Sequence, residues 1–117
     1  MNQPFTQNHD LDKDGNPDGG YSVGTGMNIQ WQKGPLQRGE ERLEPNGAFV
    51  ETVIAAVIGR IRFYQTGDVA GEQEGAGGKF ACRENALAVT HLEEALHWLN
   101  HRTQKREARG VEGTHTA

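Results

Sequence analysis

Arg83-Glu84-Asn85-Ala86-Leu87-Ala88-Val89-Thr90-His91-Leu92-Glu93-Glu94-Ala95-Leu96-His97-Trp98-Leu99-Asn100-His101-Arg102 reads as one long amphipathic helix. Leu92, Leu96 and Leu99, joined by Ala88, Val89 and Ala95, recur at intervals of three and four, so they share one face. The helix is expected over 83–109, with Gly110 as its stop. Trp98 is expected to be core. A single apolar stripe on an isolated helix has nothing to bury against, so the chain must supply a partner upstream.

That partner is the segment 46–65. Val50, Ile54, Val57, Ile61 and Tyr64 form a seam at helical spacing, and Phe49, Val53 and Ile58 widen it beyond one stripe. Asn46, after Pro45, is expected to cap the helix N-terminus. Residues 66–80 carry glycines and acidic side chains with Val69 as the large aliphatic among them, which marks a flexible loop between two antiparallel helices.

Further upstream, Tyr21, Val23, Thr25, Met27, Ile29 and Trp31 alternate with small or polar residues, the period of a half-buried strand, and Gly34-Pro35 ends the run. A β region is therefore expected over 21–36. Residues 1–20 are polar, acidic and rich in Gly and Pro, and read as a flexible arm. The expected fold class is α+β: a short N-terminal β region followed by a two-helix antiparallel hairpin. The arm precedes a single domain, 21–117, that ends in a tail over 110–117.

At 117 residues, 34% of them hydrophobic and 16 of them glycine, the chain can build only a modest core, and self-association is expected to complete it. A net charge of −4 argues against a DNA- or RNA-coating protein. Cys82 is the one cysteine, which excludes an intramolecular disulfide. Nothing resembles a leader or the roughly 18-residue apolar run of a membrane span. A reducing cytoplasm is the expected location, with no membrane partner.

Steps of seven along the second helix place Asn85, Leu92, Leu99 and Arg106 on one line, with Ala88, Ala95, Arg102 and Arg109 beside it. The face that begins as core ends in arginine. One reading is a helix that outruns its partner and lets its arginines reach water near the negative end of the helix dipole. The other is an anion site. Asn85 and Arg102 lie seventeen residues apart, about 26 Å along a helix. One chain cannot bring both to one small ligand, but two antiparallel copies can, offering an amide to a base edge and guanidiniums to phosphate.

The run Phe80-Ala81-Cys82-Arg83-Glu84-Asn85-Ala86-Leu87-Ala88, then Leu92-Glu93-Glu94-Ala95-Leu96-His97-Trp98-Leu99, then Arg109-Gly110-Val111-Glu112-Gly113-Thr114-His115, resembles the phage hairpin-domain family of anti-CBASS and anti-Thoeris sponges, nearer the anti-Thoeris branch. Ile29-Gln30-Trp31-Gln32-Lys33-Gly34-Pro35-Leu36 extends the resemblance to roughly 27–115, leaving the acidic arm outside. It implies a homo-oligomer, a hexamer built from dimers, that binds cyclic di- or trinucleotides or cyclic ADP-ribose isomers without cleaving them. Asn85, Arg102 and Arg106 would form an interface pocket, with Arg83 and Arg109 adjacent. Gly113, Thr114 and His115 would line a second site near a symmetry axis. Phe80 and Tyr64 are placed for base stacking, whereas Arg60 and Arg62 are expected on a solvated helix face.

Other constellations compete. Asp10-Leu11-Asp12-Lys13-Asp14-Gly15-Asn16 has the front half of a calcium loop, but Tyr21 stands where the closing glutamate belongs, and a solvated acidic arm is preferred. Glu94, His97 and His101 share a helical face as half of a metal site, which would suit a metal-dependent hydrolase of the signal if a second copy supplied the rest. Cys82 beside Arg83 has no base and orienting group around it. No enzyme, metal or cofactor is expected. A structural or regulatory phage protein acting through protein contacts is the alternative to a sponge.

Overall fold

The computed structural model describes residues 1–38, 41–67 and 79–108. Val50–Arg102 forms one compact unit and the β-structured segment Met1–Phe49 belongs to another. The α+β class holds, with strands first and two helices after them.

Strands β1 (Phe5–Leu11), β2 (Pro17–Gly24) and β3 (Met27–Gln30) make an antiparallel sheet in that order. The register sets Phe5 opposite Gly24, Asn8 opposite Tyr21, Tyr21 opposite Gln30 and Gly24 opposite Met27, with an irregularity between His9 and Leu11. Residues 5–20 are thus paired strand and turn rather than an arm. The acidic spacing is used to close the hairpin. Asp12 Oδ1 accepts from the backbone N–H of Asp14 and of Asn16, both at 2.9 Å, and Gly15 takes the left-handed φ of 80°. The alternating run Tyr21–Trp31, expected as one strand, is divided between β2 and β3 by a turn at Thr25-Gly26, where Gly26 has φ 73°.

Apolar burial does not explain this sheet, since every β1 residue is exposed. A polar pivot does. Ser22 is 3% exposed; its Oγ donates to Gln7 Oε1 at 2.6 Å and accepts from the Trp31 indole Nε1 at 2.9 Å. Gly20, with φ 126°, brings β2 so close to β1 that a Cβ there would run into the Asn8 carbonyl. Gly20→Ala is therefore expected to break the β1 pairing. Amide exchange across Phe5–Leu11 should become fast while the helical circular dichroism stays constant; retained protection would refute this account.

Strands β4 (Gln37–Arg38) and β5 (Glu41–Arg42) pair as a short antiparallel ribbon. Asn46 does not cap the following helix. Its Oδ1 accepts from Lys33 N–H at 2.8 Å, its Nδ2 donates to Lys33 O at 3.0 Å, and its own N–H donates to Gln32 Oε1 at 2.9 Å. With the Trp31–Ala48 bridge this pins the approach segment along the continuation of β3, and the helix begins four residues later than Asn46.

Helices α1 (Val50–Thr66) and α2 (Arg83–Ala108) follow. Their antiparallel arrangement shows in two ties. Arg62 meets Glu93 at 3.0 Å, and Gln65 at the end of α1 holds Cys82 just before α2. Ile58 of α1 and Val89 of α2 are the buried apolar side chains among the described residues. The covered line on α1 runs through Ile54, Ile58, Ile61 and Gln65, so Val50 and Val57 of the expected seam fall off it and are 48% and 44% exposed. On α2 the half-covered line is Asn85, Ala88, Leu92, Leu96, Leu99, Thr103 and Arg106, with Val89 at its deepest point. Trp98 is 68% exposed and not core, because at helical spacing it lies beside this line and not on it. The expected loop 66–80 falls mostly, and the tail 110–117 wholly, outside the described residues. No described helix is long and apolar enough to cross a membrane.

Candidate ligand site at the ends of the second helix

The start of α2 is built by local hydrogen bonds. The Gln65 carboxamide makes a two-point contact with the Cys82 backbone, accepting from Cys82 N–H at 2.8 Å and donating to Cys82 O at 3.0 Å. Ala86 N–H donates to Cys82 O at 3.2 Å, the first turn of the helix. Asn85, half-buried, donates from Nδ2 to Phe80 O at 3.3 Å, so its amide fixes the backbone just upstream of the helix. Phe80 itself is 67% exposed, with Lys79 Nζ 5.9 Å from its ring centre. Arg83 is exposed on the first turn.

Tyr64 stands at the far end of α1, half-buried, with its hydroxyl accepting from Arg60 Nε at 3.2 Å. The Arg60 guanidinium carbon lies 5.1 Å from the ring centres of both Phe63 and Tyr64. This cation is held against aromatic faces, an arrangement the spacing of Arg60 with Phe63 and Tyr64 at three and four residues permits. Arg62 is engaged in its ion pair with Glu93, both about half exposed, a contact of small energetic weight at a solvated surface.

At the other end of α2, Arg102 is exposed, while Arg106 is half-buried with its Nε shielded from solvent. The line read by sevens from Asn85 to Arg106 coincides with the covered line of the helix, and Arg102 sits on the neighbouring open line. Within one chain the helix keeps Asn85 and Arg102 at opposite ends, about 26 Å apart by its rise. The structure brings Asn85 together with Phe80 and does not bring either to Arg102. Arg109, Gly113, Thr114 and His115 lie outside the described residues.

A separate shallow, open depression on α2 is lined by Thr90, Glu93, Glu94, His97 and Trp98. Its carboxylates make it unsuited to an anion. The His97 and His101 rings stack at 6.5 Å with 8° between their planes, and Trp98 meets both edge-on at 6.0 and 6.1 Å. Glu94 faces His91 at 3.8 Å instead of completing a histidine set. Among the described residues no three His, Cys, Asp or Glu side chains gather at metal-binding spacing. The contributions that the sequence reading missed are those of Gln65 and Phe63. Gln65 carries no signal in its own sequence neighbourhood, since its partner is seventeen residues away; Phe63 is visible in retrospect through its spacing from Arg60.

The family described as Acb2/Tad1, hairpin domain, matches residues 25–104, which takes in β3 through most of α2 and leaves β1 and β2 outside. Thoeris anti-defense 1 of Bacillus phage SBSphiJ7 is 51% identical over 70 residues, covering 60% of this chain and 42% of that protein. The match thus spans about two fifths of the length of that curated relative. With two thirds of its residues matched, across β3, α1 and most of α2 with its Asn85, the chain belongs to the Acb2/Tad1 hairpin-domain family.

Proposed function

We propose that this protein acts as a phage anti-Thoeris protein that captures a cyclic nucleotide immune signal, a cyclic di- or trinucleotide or a cyclic ADP-ribose isomer, and holds it uncleaved in the host cytoplasm. The observation that carries the reading is the polarity of α2: an amide and an exposed aromatic ring at one end, guanidiniums at the other, joined by a half-covered apolar line. Family membership and the anti-defence name of the relative support it.

The ligand chemistry requires more than one copy. Antiparallel packing of two α2 helices sets the Asn85 and Phe80 end of one protomer beside Arg102 and Arg106 of the next, with Arg83 and Arg109 at its margin. Asn85 reads a base or ribose edge, Phe80 and Tyr64 offer stacking faces, and the arginines neutralise phosphate through paired N–H groups. The Gly113-Thr114-His115 segment would supply donors for a second site near a symmetry axis. The scant apolar burial among the described residues of one chain and the exposed Val50, Val57 and Leu87 favour assembly, for which a hexamer built from dimers is the proposed form.

Calorimetric titration with cyclic dinucleotides, cyclic trinucleotides and cyclic ADP-ribose isomers, followed by heat release and chromatography, is expected to show tight binding and intact ligand. No heat across the panel would move the protein to a protein-contact role. Recovery of a cleaved product would identify an enzyme, with Glu94, His97 and His101 the first residues to replace.

A further inference from the structure

Gln65 is a polar side chain on the line of α1 otherwise formed by Ile54, Ile58 and Ile61. Its carboxamide uses both of its ends on one residue, accepting from Cys82 N–H at 2.8 Å and donating to Cys82 O at 3.0 Å. That pairing closes the connection between the helices. It fixes the backbone two residues beyond Phe80 and three before Asn85, and Asn85 in turn donates to Phe80 O at 3.3 Å. The two residues proposed to contact the base therefore sit on a short segment held at Cys82 from outside and at Phe80 from within.

From this geometry we infer that Gln65 is a positioning residue for ligand capture: it orients Phe80 and Asn85 for a cyclic nucleotide without touching the ligand. The inference rests on the proposed function above and adds to it a residue outside the arginine and asparagine set. The chemistry is specific to a group that donates and accepts side by side. A hydrocarbon of similar size supplies neither bond, and an ionised carboxylate supplies the acceptor alone while setting a negative oxygen against the Cys82 carbonyl. A protonated carboxyl restores both bonds, with O–H donating to Cys82 O and C=O accepting from Cys82 N–H.

The test is Gln65→Glu in the full chain, compared with wild type at pH 8 and pH 4 by titration with the tightest-binding member of the cyclic nucleotide panel. Amide exchange at Cys82 and the oligomeric state are measured alongside. The expected result is an affinity at least tenfold below wild type at pH 8, returning to within about threefold at pH 4, below the ordinary glutamate range, with the same assembly at both. Exchange at Cys82 should follow the same pH dependence. A Gln65→Glu protein that loses Cys82 protection at pH 8 and still binds like wild type would overturn the inference, since the contact would then be structural only. A Gln65→Leu variant guards against misfolding: if assembled, it should bind weakly at both pH values, and full affinity would equally refute the role. Failure of the broader reading shows separately, as a wild-type protein that binds nothing on the panel, and it takes this inference with it.

Discussion

Arg102→Ala is expected to reduce affinity for the proposed cyclic nucleotide ligand by about ten- to a hundredfold while leaving the proposed assembly and its melting temperature unchanged. The magnitude follows from losing a charge-assisted contact to phosphate, worth about 1.5–3 kcal/mol, where each 1.4 kcal/mol is roughly tenfold. Arg102 is the informative position because it is exposed in the single chain and lies off the covered line, so truncating it removes little packing. Arg106 is expected to matter as much. Its half-buried stem and shielded Nε mean, however, that Arg106→Ala disturbs the helix end as well as the ligand. Arg102→Lys separates charge from geometry: a retained point charge with no planar fork should give an intermediate affinity and keep the wild-type salt dependence, which Arg102→Ala should make shallower. Titration of the three variants at two ionic strengths checks this. Wild-type affinity in Arg102→Ala, with the oligomer intact, would remove Arg102 from the site.

The helices were legible because their burial is written at a spacing of three and four. The line Asn85, Leu92, Leu99, Arg106, obtained by counting sevens, is the line that the fold half-covers. The seam on α1 was read less well. Val50 and Val57 share the apolar character of Ile54 and Ile61, and composition does not say which of two adjacent apolar lines meets the partner helix within one chain. A face wider than one stripe contains more than one contact.

The sheet was half-missed for a different reason. Residues 5–20 have no apolar alternation to detect, because β1 and β2 are stabilised by backbone pairing, by the Asp12 turn and by Ser22 bridging Gln7 and Trp31. Polar side chains that satisfy one another across strands leave the same compositional trace as a solvated arm. Asn46 illustrates the same limit. Capping and cross-linking both use a short amide before a helix, and the choice depends on whether Lys33, thirteen residues earlier, arrives at its side. Gln65 was illegible on those grounds too, its whole role being set by a backbone seventeen residues away.

Ile58→Ala is expected to produce the largest loss of stability of any alanine substitution among the described residues of the hairpin. Ile58 is 4% exposed and Val89 9%, and no other apolar side chain among the described residues is as well covered. Truncating a buried isoleucine to alanine costs about 2–5 kcal/mol through lost transfer energy and the space left behind, against which the better helix propensity of alanine returns only a few tenths. That is a large share of the roughly 5–15 kcal/mol that holds a domain folded. Urea unfolding should therefore show a midpoint shift at every protein concentration. Val57→Ala provides the contrast. Val57 is 44% exposed in one chain, so in an isolated hairpin its truncation should cost well under 1 kcal/mol. If copies of the chain cover it, the cost grows, and the unfolding midpoint falls as the protein is diluted, because assembly contributes to stability through mass action. A concentration-independent midpoint for wild type and Val57→Ala alike, with Ile58→Ala strongly destabilised, would mean that the hairpin stands alone. A ligand site shared between copies would then have no interface to occupy.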